Sequence, residues 1–138
     1  MQAKSLTPIL NVSDIQASFV WFEKLGWNKG FEWGEPVGFG SVCSGDCEIF
    51  LCENAQGGRG RGHLPNTFGK NGEEQQDKGV WMSIWVTDIS HVKQQCEAAG
   101  VEITFPLTDM PWNVTEMHIR HPDGHVFRIS QSVPPENQ

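Results

Sequence analysis

At 138 residues, with 38% hydrophobic and 20% charged residues, the chain has room for one domain around one core and is too apolar for wholesale disorder. Ten Lys+Arg against seventeen Asp+Glu leave a formal net charge of -7, a field that repels phosphate backbones and anionic lipid, so nucleic acid and membrane surfaces are not expected partners. No run approaches the roughly 20 apolar residues that cross a bilayer, and the N-terminus lacks the pattern of a cleaved leader. A cytoplasmic location is therefore expected, with reduced thiols at Cys43, Cys47, Cys52 and Cys96.

The segment Pro8 to Val12 is apolar and runs into Ser13-Asp14, the pattern of a strand followed by a helix N-cap. Ile15, Phe19, Phe22 and Leu25 recur at helical spacing, and Gly26 supplies the stop. Trp27 to Phe31, Gly38 to Cys43 and Glu48 to Cys52 follow as short strands separated by Gly34-Glu35-Pro36 and Ser44-Gly45-Asp46. The first half reads βαβββ.

A polar, glycine-rich passage over 54–78 has few apolar anchors and is expected to be a flexible connection; its Gly/Arg run lacks the Lys-Ser/Thr ending of a phosphate loop. The first pattern then returns: a strand from Gly79 to Val86, a cap at Thr87-Asp88, a helix from Ile89 to Ala99 and a stop at Gly100. Val12-Ser13-Asp14-Ile15 matches Val86-Thr87-Asp88-Ile89, and Gly26 matches Gly100, both at an interval of 74 residues, so the halves are read as a duplication. Val101 to Phe105, Val114 to Arg120 and Val126 to Ser130 complete the second βαβββ, with Pro106 to Pro111 and His121-Pro122-Asp123-Gly124 as connections and a frayed tail after them. The expectation is an α+β fold, a single domain in which two βαβββ modules (5–53 and 79–131) form a curled mixed sheet with helices on the outer face.

Alternation sorts the faces. Val80, Met82, Ile84 and Val86 belong under a helix, whereas Trp81, Ser83 and Trp85 point the other way. If helices cover one side of each sheet, the free side forms a cup lined by Thr7, Ile9, Asn11, Phe50, Trp81, Ser83, Trp85, Glu116, His118 and Arg128. The aromatic members equally suit a filled core; Glu116, His118 and Arg128 on the same side favour a pocket, because ionisable groups in a dry core need partners. A Glu116–Arg128 pair would weaken that preference.

The strand-to-cap runs Pro8 to Asp14 and Val86-Thr87-Asp88-Ile89, the helix end Leu25-Gly26, and above all Arg120-His121-Pro122-Asp123-Gly124-His125 resemble the vicinal oxygen chelate superfamily, the group of glyoxalase I, extradiol dioxygenases and bleomycin-resistance proteins. The resemblance implies metal-ligand positions at the start of each module's first strand and in each module's last strand. Here these are Thr7, Trp81, Phe50 and Arg128, and none is a His, Glu or Gln. A hydroxyl, an indole, a phenyl and a guanidinium do not assemble a divalent-metal site. His63 falls in the connection, His91 on an outward helical turn, and His121 and His125 flank a turn, so no metal and no other cofactor is expected.

Within the superfamily this resembles the bleomycin-resistance branch, which implies an antibiotic-sequestering homodimer without catalysis. The ligand-binding residues are then Phe50, Trp81, Trp85, Trp112, Glu116, His118 and Arg128, with aromatic rings stacking a small-molecule ligand and the polar groups orienting it. The first helix surface and the Trp27 to Phe39 strands are candidates for the dimer contact. The alternative is a lyase, isomerase or dioxygenase-like enzyme acting on an oxygenated substrate, with His118 as acid/base beside Glu116 and Arg128 holding an oxyanion.

Overall fold

In each half an aspartate takes over a free amide of the helix it precedes. Asp14 accepts from the Ala17 N–H in α1 (Ile15–Glu23), and Asp88 from the His91 N–H in α2 (Ile89–Ala99). A second cap is also duplicated: the Ile15 N–H donates to Glu53, and the Ile89 N–H to Gln131, each at the end of its half's last strand. Gly26 and Gly100 turn the chain after the helices at φ 82 and 72, where a side chain would be strained.

The computed structural model describes residues 1–59 and 79–133. They form two mixed four-stranded sheets. The first comprises β1 (Ile9–Asn11), β2 (Asn28–Trp33), β3 (Phe39–Ser44) and β4 (Cys47–Cys52) in the order β1-β4-β3-β2. The second comprises β5 (Trp81–Trp85), β6 (Glu102–Met110), β7 (Val114–Arg120) and β8 (Val126–Ser132) in the order β5-β8-β7-β6. The first strand of each half lies parallel to its own last strand, with the same register: Ile9 opposes Phe50 as Ser83 opposes Arg128, and Asn11 opposes Cys52 as Trp85 opposes Ser130. Most of the expected flexible connection (60–78, with His63) and the end of the tail (134–138) lie outside the described residues. Among the described residues no helix is long and apolar enough to cross a membrane.

The strand boundaries shift from the sequence reading by one or two residues in most strands and by the most in β6. The stretch from Pro106, expected to be a connection, continues β6 as far as Met110. β6 is an edge strand with irregular register on either side of Phe105, so a residue without an N–H is accommodated there.

Both halves share one core. Leu10, Val12, Ile15, Phe19 and Phe22 join Ile89, Cys96, Met117, Ile119, Phe127 and Ile129 in a single buried cluster. At the seam the Trp21 ring stacks on Phe127 at 5.6 Å, and Phe22 meets Phe127 edge-on at 5.9 Å. The face of α1 that carries Ser18, Trp21 and Phe22 is therefore buried against the second module and not free for the dimer contact expected of it, whereas every residue of β2 is exposed.

A polar seam runs alongside. His121 and His125, expected only to flank a turn, are both buried. His125 Nδ1 accepts from the Val80 N–H (2.9 Å) and its Nε2 donates to the Asn11 carbonyl (2.8 Å). His121 Nδ1 accepts from the Asp123 N–H (3.0 Å), and its Nε2 lies 2.9 Å from the Ser18 hydroxyl. Because a backbone N–H can only donate, each ring carries its proton on Nε2 and is neutral. Asp123 closes the seam by accepting from the Ser13 N–H at 2.9 Å. Burial works to raise the Asp123 carboxyl, but hydrogen bonding from Ser13 and the charge of Arg59 contribute to a net downward shift. Beside this turn a Cβ on Gly79 would fall 2.6 Å from the Gly124 carbonyl, so the entry to β5 requires glycine.

Candidate functional site

The face of the second sheet turned away from the core carries the candidate site. Cross-strand register sets Ser83, Arg128 and His118 side by side, with Phe105 opposite His118. One row along stand Trp85, Ser130, Glu116 and Thr108, and on the other side Trp81, Val126, Arg120 and Glu102. Alternation along β5, β7 and β8 thus delivers one face with both aromatic and ionisable groups.

Glu116 is the anchor. It is buried and accepts two hydrogen bonds from Arg128, from Nε at 2.8 Å and Nη2 at 3.0 Å, and a third from His118 Nε2 at 2.9 Å. The Arg128 bonds chiefly hold the Glu116 carboxyl down at about 2, His118 acting in the same direction and burial opposing both. The same pairing raises the Arg128 guanidinium. This is the pair that the sequence reading identified as weakening the case for a pocket, and it satisfies both charges. A pocket is nonetheless present: Trp81, Met82, Ser83, Met110, Trp112, Glu116, His118 and Arg128 line an open cavity of about 490 Å³. Trp81 and His118 also line an adjoining cavity of about 710 Å³, bordered by Glu102, Ile103 and Arg120. Both volumes lie in the range of small-molecule sites.

Folded-state pairing at Glu116 sets an acid limit. Its carboxyl is depressed from 4.5 to about 2, so its contribution to stability is full above about 4.5 and is lost as pH falls toward about 2. Denaturant midpoints followed through that window should fall more steeply for the wild type than for Arg128→Met. Equal slopes would show that the pair does not hold the carboxylate.

Five of the seven residues expected to bind ligand, Trp81, Trp112, Glu116, His118 and Arg128, therefore meet at one cavity. Phe50 lies on the first sheet, in a cluster with Phe31 and Phe39 at ring separations of 5.4–5.6 Å. Trp85 lines a narrower cleft of about 190 Å³ with Leu25, Trp27 and Cys47. Sequence reasoning missed Phe105, whose ring lies 4.9 Å from that of His118, and the bidentate pair of Arg120 with Glu102 at 2.7 and 3.0 Å. Arg120 follows Glu116 and His118 in the same alternation, so the period of β7 was a signal for it.

The four metal-ligand positions implied by the family resemblance are equivalent in the structure, because the β1–β4 and β5–β8 registers coincide. They hold Thr7, Phe50, Trp81 and Arg128, and the last is a cation already committed to a carboxylate. That donor set does not fit a divalent ion. Among the described residues there is no group of three or more His, Cys, Asp or Glu placed to hold one.

A family model described as the Glyoxalase/Bleomycin resistance protein/Dioxygenase superfamily matches residues 5–129. The chain belongs to this superfamily. Among solved structures, superfamily architecture recurs in TioX from Micromonospora sp. ML1, with a TM-score of 0.72 and 17% identity, covering 95% of this chain and 100% of that one. A bleomycin resistance determinant encoded on the transposon Tn5 matches with a TM-score of 0.69 and 18% identity over 94% and 98% of the two chains. A bleomycin-binding protein complexed with bleomycin matches with a TM-score of 0.65 and 17% identity over 94% and 99%. At such identities these likenesses bear on the fold. No functionally curated protein matches the sequence.

Proposed function

We propose that this superfamily member is a metal-independent small-molecule binding protein that holds a planar or hydrophobic ligand against Trp81 and Trp112 and sequesters it without chemistry. The observation that carries the reading is the convergence of both indoles with the Glu116–His118–Arg128 cluster on one cavity of about 490 Å³. The fold neighbours that are a bleomycin resistance determinant and a bleomycin-binding protein support an antibiotic as ligand and a resistance role. A homodimer is part of the proposal. Trp33, Trp81, Trp85 and Trp112 are 74, 68, 57 and 57% exposed, more indole surface than an isolated chain usually leaves in water, and a second copy would cover it. Phe50 would then contribute from its own sheet.

A titration followed by tryptophan fluorescence, with bleomycin and a panel of planar aromatic compounds, tests the reading. Trp81→Ala and Trp112→Ala should each weaken any ligand found by about tenfold or more, as loss of a stacking anchor does. Unchanged affinity in both variants would remove the cavity from consideration. Sedimentation should return twice the chain mass; a monomer at high concentration would contradict the dimer.

The Glu116–His118 contact also favours a second reading, an acid–base enzyme acting on an oxygenated substrate. Against it, Arg128 has Nε and Nη2 committed to Glu116, with Nη1 3.4 Å from Ser83, so it is poorly placed to hold an oxyanion.

A further inference from the structure

We propose that the ligand of this cavity is an uncharged hydroxylated aromatic compound whose O–H donates to Nδ1 of His118 while its ring lies against Trp81. The inference rests on the binding reading above and specifies its chemistry.

Nε2 of His118 faces Glu116, a carboxylate that Arg128 keeps ionised and that can only accept. In the neutral imidazole the proton is therefore on Nε2, and Nδ1 is left as a lone-pair acceptor. Among the described residues nothing donates to Nδ1. The bidentate Arg128 clamp fixes Glu116, and Glu116 in turn fixes the tautomer and tilt of the ring. The acceptor is thus built into the sheet.

Its surroundings select the rest of the ligand. The His118 ring lies 4.9 Å from Phe105 and 6.1 Å from Trp81, and it borders both cavities. The flat apolar wall that Trp81 gives both cavities, beside one acceptor, favours a planar ring with a single donor at its edge. Charge is selected against. The charged side chains lining the two cavities, Glu116 with Arg128 and Glu102 with Arg120, are matched in bidentate pairs across β6, β7 and β8. β5 contributes none. An anionic or cationic ligand would have to break one of those pairs, whereas a neutral phenol-type hydroxyl meets the His118 acceptor without doing so.

Calorimetric titration of the full chain with 2-naphthol and 2-methoxynaphthalene tests this, because the second replaces the O–H hydrogen of the first with a methyl group and so removes the donor. The wild type should bind 2-naphthol about tenfold more tightly. His118→Phe should lose the preference and bind the two compounds about equally. Nitrogen NMR of histidine-labelled protein, with the His118 signals assigned by their absence in that variant, should show the Nε2–H tautomer. Equal wild-type affinities, a preference that survives in His118→Phe, or an Nδ1–H tautomer would each overturn the donor assignment while leaving the aromatic cavity intact. Failure of both compounds to bind up to their solubility limits would overturn this inference together with the proposed function.

Discussion

Replacing Phe22 with alanine is expected to cost about 3–5 kcal/mol and to weaken both halves of the chain together, not the first alone. The side chain is 1% exposed and belongs to α1, yet its ring contacts include Trp27 of its own half and both His121 and Phe127 of the other. Truncation leaves a cavity at the seam, where neither sheet can close it without moving relative to its partner. Hydrogen exchange resolved by segment distinguishes the outcomes. Protection should fall in both 5–53 and 79–131, and a loss confined to 5–53 would mean that the modules fold as independent units.

His125→Phe should be nearly as costly for a different reason. Phenylalanine fills the space but leaves the Val80 N–H and the Asn11 carbonyl, both half-buried, without the His125 partner, at up to about 1–3 kcal/mol for each group that water cannot reach. The pH dependence provides a second readout. Burial depresses the His125 imidazolium below 6.5, the hydrogen bond to Asn11 opposing it only in part. The unfolded chain therefore takes up a proton at higher pH than the folded one, and the stability held by neutral His125 is full above about 6.5 and lost as pH falls through the lower folded value. Urea midpoints should decline on acidification below about 6.5 in the wild type and less steeply in the variant. A wild-type stability that is flat through this range would contradict a neutral, doubly bonded His125.

The parts of the fold that were legible in the sequence are those set by local rules. Asp14 and Asp88 cap helices because a short acceptor is needed there whatever the rest of the chain does, and Trp81, Ser83 and Trp85 share a face because strands alternate. The parts that were not legible depend on how the halves meet. Trp21 is off the apolar stripe of α1 and is buried because the second module covers that flank. His121 and His125 look like turn residues, but their partners Ser18 and Asn11 lie more than a hundred residues away. Pro106 marked a break that an edge strand had no need to make.

The candidate site shows the same division. Trp81, Glu116, His118 and Arg128 were found together because three strands of one module place them in register. Phe50 was grouped with them by equivalence between the halves, and within the chain it packs instead with Phe31 and Phe39. The Arg128–Glu116 pair changes what Arg128 offers: a clamp that orients His118, not a free cation.

Metal independence is the central claim, and one measurement addresses it most directly: calorimetric titration with an aromatic ligand on protein purified without added metal, with and without a strong chelator, with metal content determined on the same sample. The donor set of Thr7, Phe50, Trp81 and Arg128 predicts far less than one metal per chain and the same affinity in both conditions. One tightly held metal per chain, with binding abolished by the chelator, would contradict it.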